Sequence, residues 1–153
     1  MADSKREQII QALIGRLATI STANGYETGL GAKVARGLRE VPKKDELPAI
    51  VLREGKATTN ATVNAGFDTT TLRIELAARD RFQEGVENAY GRANKMLADL
   101  TKALGVDPTF GGLAIDTMLI ENNIGVEDKG FSIAAIDASV DIKFRTFHLN
   151  PYN

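Results

Sequence analysis

Cysteine and tryptophan are absent from this 153-residue chain, and histidine occurs once. Without cysteine there is no disulfide, no thiolate metal site and no thiol nucleophile. The single histidine, His148, stands beside Pro151 near the end of the sequence. It reads as an exposed tail residue, since one histidine supports neither a catalytic triad with a fixed base nor a multi-histidine metal site. Long apolar runs are missing as well. The longest, Ala49–Leu52 and Ile133–Ile136, have four residues, against the roughly 20 that a membrane helix needs. No membrane partner is expected. The start, MADSKREQ, is charged and has no apolar h-region, which predicts a protein that stays inside the cell that makes it. A strong excess of one charge is also lacking: the formal net charge is −1. That argues against sequence-specific nucleic-acid binding, which favours a basic surface.

What is present is periodicity. Ser4 to Ser21 reads as an amphipathic helix, with a Ser4/Glu7 capping box and a stripe of Ile9, Ile10, Leu13, Ile14, Leu17 and Ile20. A second helix is predicted over Asp80–Leu104, opened by Asp80 and Gln83 and closed by Gly105. Its apolar stripe runs through Phe82, Val86, Ala89, Tyr90, Ala93, Met96, Leu97, Leu100 and Leu104. Strands are predicted at Tyr26–Leu30, Val34–Val41, Leu47–Arg53, Leu72–Arg79, Leu113–Glu121 and Ala138–Arg145, with a polar turn region over Asn122–Gly130. The alternation in Leu72–Arg79 and Ala138–Arg145 puts Leu72, Ile74, Leu76, Ala78, Val140, Ile142 and Phe144 inward. Arg73, Glu75, Arg79, Asp141, Lys143 and Arg145 point outward.

These elements predict an α+β (two-layer α/β) fold in one domain, residues 1–153. A mixed, largely antiparallel sheet of 4–5 strands carries two amphipathic helices on one face. The other face is left uncovered. Between two of the strands, 54–71 is rich in Thr, Asn, Gly and Ala and reads as a long flexible arm, the first candidate for a contact element.

Motifs for chemistry fail one by one. Gly29-Leu30-Gly31 has Val34 where a dinucleotide fingerprint requires its third glycine, and Gly55-Lys56 is preceded by Ile50 where a phosphate loop needs glycine. Glu121, Glu127 and Asp128 read as solvated loop charge, with a hard-cation site as the alternative, since no EF-hand spacing is present. Tyr26, Phe67, Phe110 and Phe131 are too scattered for a base-stacking platform. No cofactor, metal or catalytic residue is assigned. The reading is a non-enzymatic assembly component, and its interface candidates, chosen for charge and expected exposure, are Lys33, Arg36, Arg39, Arg73 and Arg145.

The order of segments resembles one family. The N-terminal helix is followed by NGYETGLGAKVARG, DELPAIVL, LRIELAAR, NKMLADLTKALGVD and the closing VDIKFRTFHLNPY. Together they resemble the tail-terminator (tail-completion, minor tail protein U-like) family of long-tailed phages and prophages. That resemblance implies a homo-oligomeric ring, typically a hexamer, at the head-proximal end of the virion tail, assembled in the bacterial host cytoplasm. It implies partners in copies of itself, in the major tail (tube) protein and in the head–tail connector protein, with genome DNA passing through the ring. A neck or head-completion connector protein is the runner-up reading. A small enzyme or nucleic-acid module is the third.

Overall fold

A computed structural model describes residues 2–37, 43–62, 65–83, 85, 87–128 and 132–153. Its frame is a five-stranded sheet with strand order β1-β2-β3-β5-β4, built from β1 (Val34–Arg36), β2 (Ala49–Thr62), β3 (Phe67–Arg81), β4 (Asp116–Asp128) and β5 (Ser132–Phe147). The short β1 runs parallel to β2, and every other pairing is antiparallel. Two helices, α1 (Lys5–Leu17) and α2 (Ala89–Gly105), pack on one face. The α+β fold expected from the sequence is the one observed.

Helix α1 starts where the sequence places it. The Ser4 hydroxyl accepts the Glu7 N–H at 3.2 Å, and the Lys5 N–H, otherwise orphaned at the helix start, donates to Pro151 O at 2.8 Å. Ile9, Ile10, Leu13 and Leu17 are completely buried, and each such side chain contributes about 1.5–3 kcal/mol of transfer free energy. The helix ends at Leu17, four residues before Ser21, yet Ile20 remains in the core.

Helix α2 is shorter than its periodicity suggests. It begins at Ala89, with Asn88 as N-cap, and Gly85 lies ahead of it at a φ of +82° that only glycine adopts freely. Asp80 and Arg81 instead finish β3, paired with Ala134 and Ile133 of β5. Sheet pairing, invisible along a single segment, took these residues from the helix. Tyr90, expected on the buried stripe, is 59% exposed, while Ala93, Met96, Leu100 and Leu104 do face the core. Val86 of the expected stripe lies outside the described residues.

The arm expected at 54–71 is also different. Its described residues belong to two paired strands, with Ala57–Thr62 opposite Phe67–Leu72, and to the turn at Ala65 and Gly66 between them. β-branched threonine favours a pleated surface, and an extended backbone meets its hydrogen-bonding needs by pairing with itself across a hairpin. Beyond a register shift between Glu54 and Ala57, residues 56–62 are exposed on both faces, so this limb of the hairpin reaches past the helical layer. In the same way Asn122–Asp128, read as a turn, continues β4, whose register shifts once between Leu119 and Glu121. Tyr26–Leu30 forms no strand; of Val34–Val41, Val34–Arg36 form β1, and residues 38–41 lie outside the described residues.

Inward residues of β3 and β5 alternate as predicted, and β2 contributes to the same face. Ile50, Leu52, Leu72, Ile74, Leu76, Ala78, Ile136, Val140 and Ile142 join the helical stripes in one core. The opposite face is bare toward the hairpin end only. At the other end Val51 and Ala135 are buried, and Leu47, Ala49 and Ile133 make a second small cluster.

Candidate interaction surface

The strand register fixes the outward rows of the sheet. Moving from the β2–β3 hairpin toward the opposite end, Phe67 stands beside Phe147, Thr69 beside Arg145, Thr71 beside Lys143, Arg73 beside Asp141, Glu75 beside Ser139 and Ala77 beside Asp137. On β4, Asp116 lies next to Lys143, Met118 next to Asp141, Glu121 next to Ser139 and Asn123 next to Asp137. The surface therefore changes sign along the strands.

At the hairpin end two aromatic rings stack, Phe67 on Phe147, with centroids 5.4 Å apart and planes at 22°. They are 38% and 52% exposed, a large apolar area to leave in water. The Arg145 guanidinium sits 5.9 Å from the Phe67 ring centroid, a cation–π contact. Lys143, one row further in, is exposed. Among the described residues neither Arg145 nor Lys143 has a carboxylate within ion-pair distance.

Toward the sheet centre the charges are negative. Glu75, Glu121, Asn123, Asp137 and Ser139 line an open hollow of about 550 Å³ together with Ile120. Ser139 Oγ donates to Glu75 Oε2 at 2.7 Å, and Asp137 accepts from Arg79 at 3.0 Å. Arg53 stands opposite Glu75 from β2. Between the two zones Arg73 and Asp141 form a two-pronged pair at 2.9 and 3.1 Å.

The interface candidates fare differently. Arg36 is consumed internally, bidentate on Glu7 at 2.8 and 2.9 Å and also bonded to Glu54. Lys33 pairs with Glu46 at 2.6 Å, which holds the Glu46 carboxyl below its ordinary range, and Arg73 is matched by Asp141. Arg39 lies outside the described residues. Among the described candidates, Arg145 alone keeps a guanidinium without a carboxylate partner on the bare face. Phe147 and Phe67 went unpaired in the sequence because eighty residues separate them. The available signal was that each occupies the outward phase of a strand whose inward phase is apolar.

His148 is exposed and bonds Asp68 through Nδ1 at 2.8 Å, and the Leu149 N–H donates to the other Asp68 oxygen at 3.0 Å. These two contacts, the imidazole's first, hold the Asp68 carboxyl below its ordinary range. They tie the tail to the turn end of the β2–β3 hairpin, where the His148 N–H also donates to Gly66 O at 2.9 Å. Glu121 and Glu127, read as loop charge, lie on β4, and among the described residues no group of three or more His, Asp or Glu is placed to hold a metal. No helix is long and apolar enough to cross a membrane among the described residues. No protein-family model matches the chain, and no curated protein matches it.

Proposed function

We propose that this chain is a structural, non-enzymatic component of a long-tailed phage virion. It forms a homo-oligomeric ring, typically six-fold, that caps the tail tube, ends its polymerisation and presents a surface for head–tail joining. The observation that carries this reading is the sheet itself: its helices cover one face, and the hairpin half of the other is bare, polar and edged by an exposed aromatic pair. Such a surface is matched to a protein neighbour. The limb of the hairpin that outreaches the helices gives each copy an element to lay on the next, as a closed head-to-tail ring requires. The order of segments, with its resemblance to tail terminators, selects the ring among possible assemblies.

The test mixes the purified protein with polymerising major tail protein and examines the tubes by electron microscopy. Capped tubes that stop elongating support the reading. Uncapped tubes of unaltered length, or binding confined to the portal side, overturn it, the latter in favour of a neck protein. A Thr58→Glu/Asn60→Glu/Thr62→Glu variant, altered only at exposed hairpin positions, should remain folded by circular dichroism and lose ring formation.

A further inference from the structure

We infer that the bare face is self-complementary and that two free copies pair through it face to face about a two-fold axis. This concerns the protein before any tube is met, and it does not rest on the ring reading. The argument is one of register. Arg145 and Asp137 lie on the same strand, eight residues apart, with Asp141 midway, and Lys143 and Ser139 are centred on that same residue. An axis crossing the strands at Arg73 and Asp141 therefore lays Arg145 of one copy over Asp137 of the other. It also brings Lys143 over Ser139, whose row neighbours are Glu75 and Glu121. Both contacts form twice. The Arg73–Asp141 pair at the axis is already mutually neutralised and adds no net charge there. Arg145 is steadied for the contact by the Phe67 ring beneath it.

Area is sufficient. Eight residues along a strand at about 3.3 Å each, by four strands at about 4.8 Å, give about 500 Å² per copy or about 1,000 Å² in all, the lower bound for a specific interface. Twisted sheets pack face to face at about −30°, so the twist does not prevent the contact. Because the complementarity is mainly charge, added salt weakens it.

Full-length protein, measured for mass by analytical ultracentrifugation at low salt, should show a monomer–dimer equilibrium. Lys143→Glu and Glu121→Lys each alter an exposed side chain, and each alone should raise the dimer dissociation constant at least about tenfold, the scale of a close interfacial charge pair. An equimolar mixture of the two variants should restore dimerisation, since each supplies the charge that the other lacks. A monomer at all concentrations overturns the inference, as does a dimer indifferent to either variant. Rings governed by the same charges overturn it too, because they would assign this face to a head-to-tail contact. Tube capping is read separately by microscopy, so the two proposals fail independently.

Discussion

The Asp99 carboxylate on α2, itself 2% exposed, accepts three hydrogen bonds from the loop that follows α1: Thr28 N–H at 2.7 Å, Thr28 Oγ at 2.6 Å and Glu27 N–H at 3.1 Å. One side chain thus satisfies two backbone donors that enter no strand or helix, and it pins the loop to the helical layer. Lys102, one turn further along α2, adds a bond to Gly25 O at 2.6 Å and lies 4.7 Å from the centroid of the Tyr26 ring. Asp99→Ala should cost about 2–4 kcal/mol, because buried donors lose a charged acceptor and regain no water. Thr28→Val, which removes a single donor, should cost about 1 kcal/mol. Urea unfolding of both variants checks the order, and an Asp99→Ala protein as stable as its parent would deny the clasp any role.

Two glycines predict opposite outcomes for the same substitution. A Cβ on Gly31 would lie 2.6 Å from Leu17 O and 2.7 Å from Ala18 O, backbone atoms at the end of α1 that cannot swing aside. Gly31 N–H also donates to Ile20 O at 2.9 Å, so the close approach is part of how the chain leaves the helix. Gly31→Ala should destabilise by at least about 1–3 kcal/mol through forced backbone movement. Gly15, exposed within α1, has nothing within 4 Å of its would-be Cβ. Gly15→Ala should stabilise by up to about 1 kcal/mol through helix propensity alone. Thermal melts of the pair provide the comparison.

The same glycines mark what the sequence makes legible and what it hides. Gly31 sits in a short helical turn, Leu30–Ala32, and the reason it must be glycine lies in Leu17 and Ala18 across a non-local contact. The inward alternation of Leu72, Ile74, Leu76, Val140 and Ile142 was legible because a half-buried strand imposes a period of two on its own residues. The start of α2 was not. Asp80 satisfies a cap pattern locally, yet its carboxylate pairs with Arg92 while its backbone joins β5. Thr- and Asn-rich strands read as arm and turn for the same physical reason: polar residues on exposed strands carry no hydrophobic period, and only the partner strand defines them. Charge singled out Arg36, Arg73 and Arg145 alike as interface candidates, and it could not reveal that Arg36 and Arg73 already had partners.

Arg79 is the outward residue that the period assigned to water and the structure buries. Its guanidinium donates to Glu127 at 3.1 Å, to Asp137 at 3.0 Å and to the carbonyls of Ala78 and Ile136, each at 3.0 Å, and its side chain is 7% exposed. It spans β3, β5 and β4 on the face of the sheet that the helices do not cover. Truncation to Ala would leave the carboxylates and carbonyls around it unmatched and should cost about 3–5 kcal/mol. Arg79→Lys should recover only part of this, since a single ammonium cannot reproduce a planar fork with donors on three sides. Denaturant midpoints for the two variants decide it. A lysine variant equal to the parent would mean that charge alone, and not the fork, is what the site requires.

Acid should weaken the junction between α1 and the sheet edge through Glu7. Hydrogen bonds first from Arg36 and then from Gln11 lower the Glu7 pKa from 4.5 to about 2. A carboxyl whose pKa is depressed by folding contributes stability that is complete above its unfolded value and is lost as pH falls through the folded one. For Glu7 the window runs from about pH 4.5 down to about 2, and Asp68 and Asp107, also depressed, add slope of the same sign. Glu7→Gln removes the titrating group while keeping a side chain of similar shape. Its melting temperature should therefore lie below that of the parent at neutral pH, and the gap should close as both are taken toward pH 2. The exposed side chains and the screening of surface pairs keep the neutral-pH difference small. Melting curves recorded across this range test the claim by convergence, and a gap that stays constant with pH would show that Arg36 does not draw its stabilising effect from the ionised Glu7.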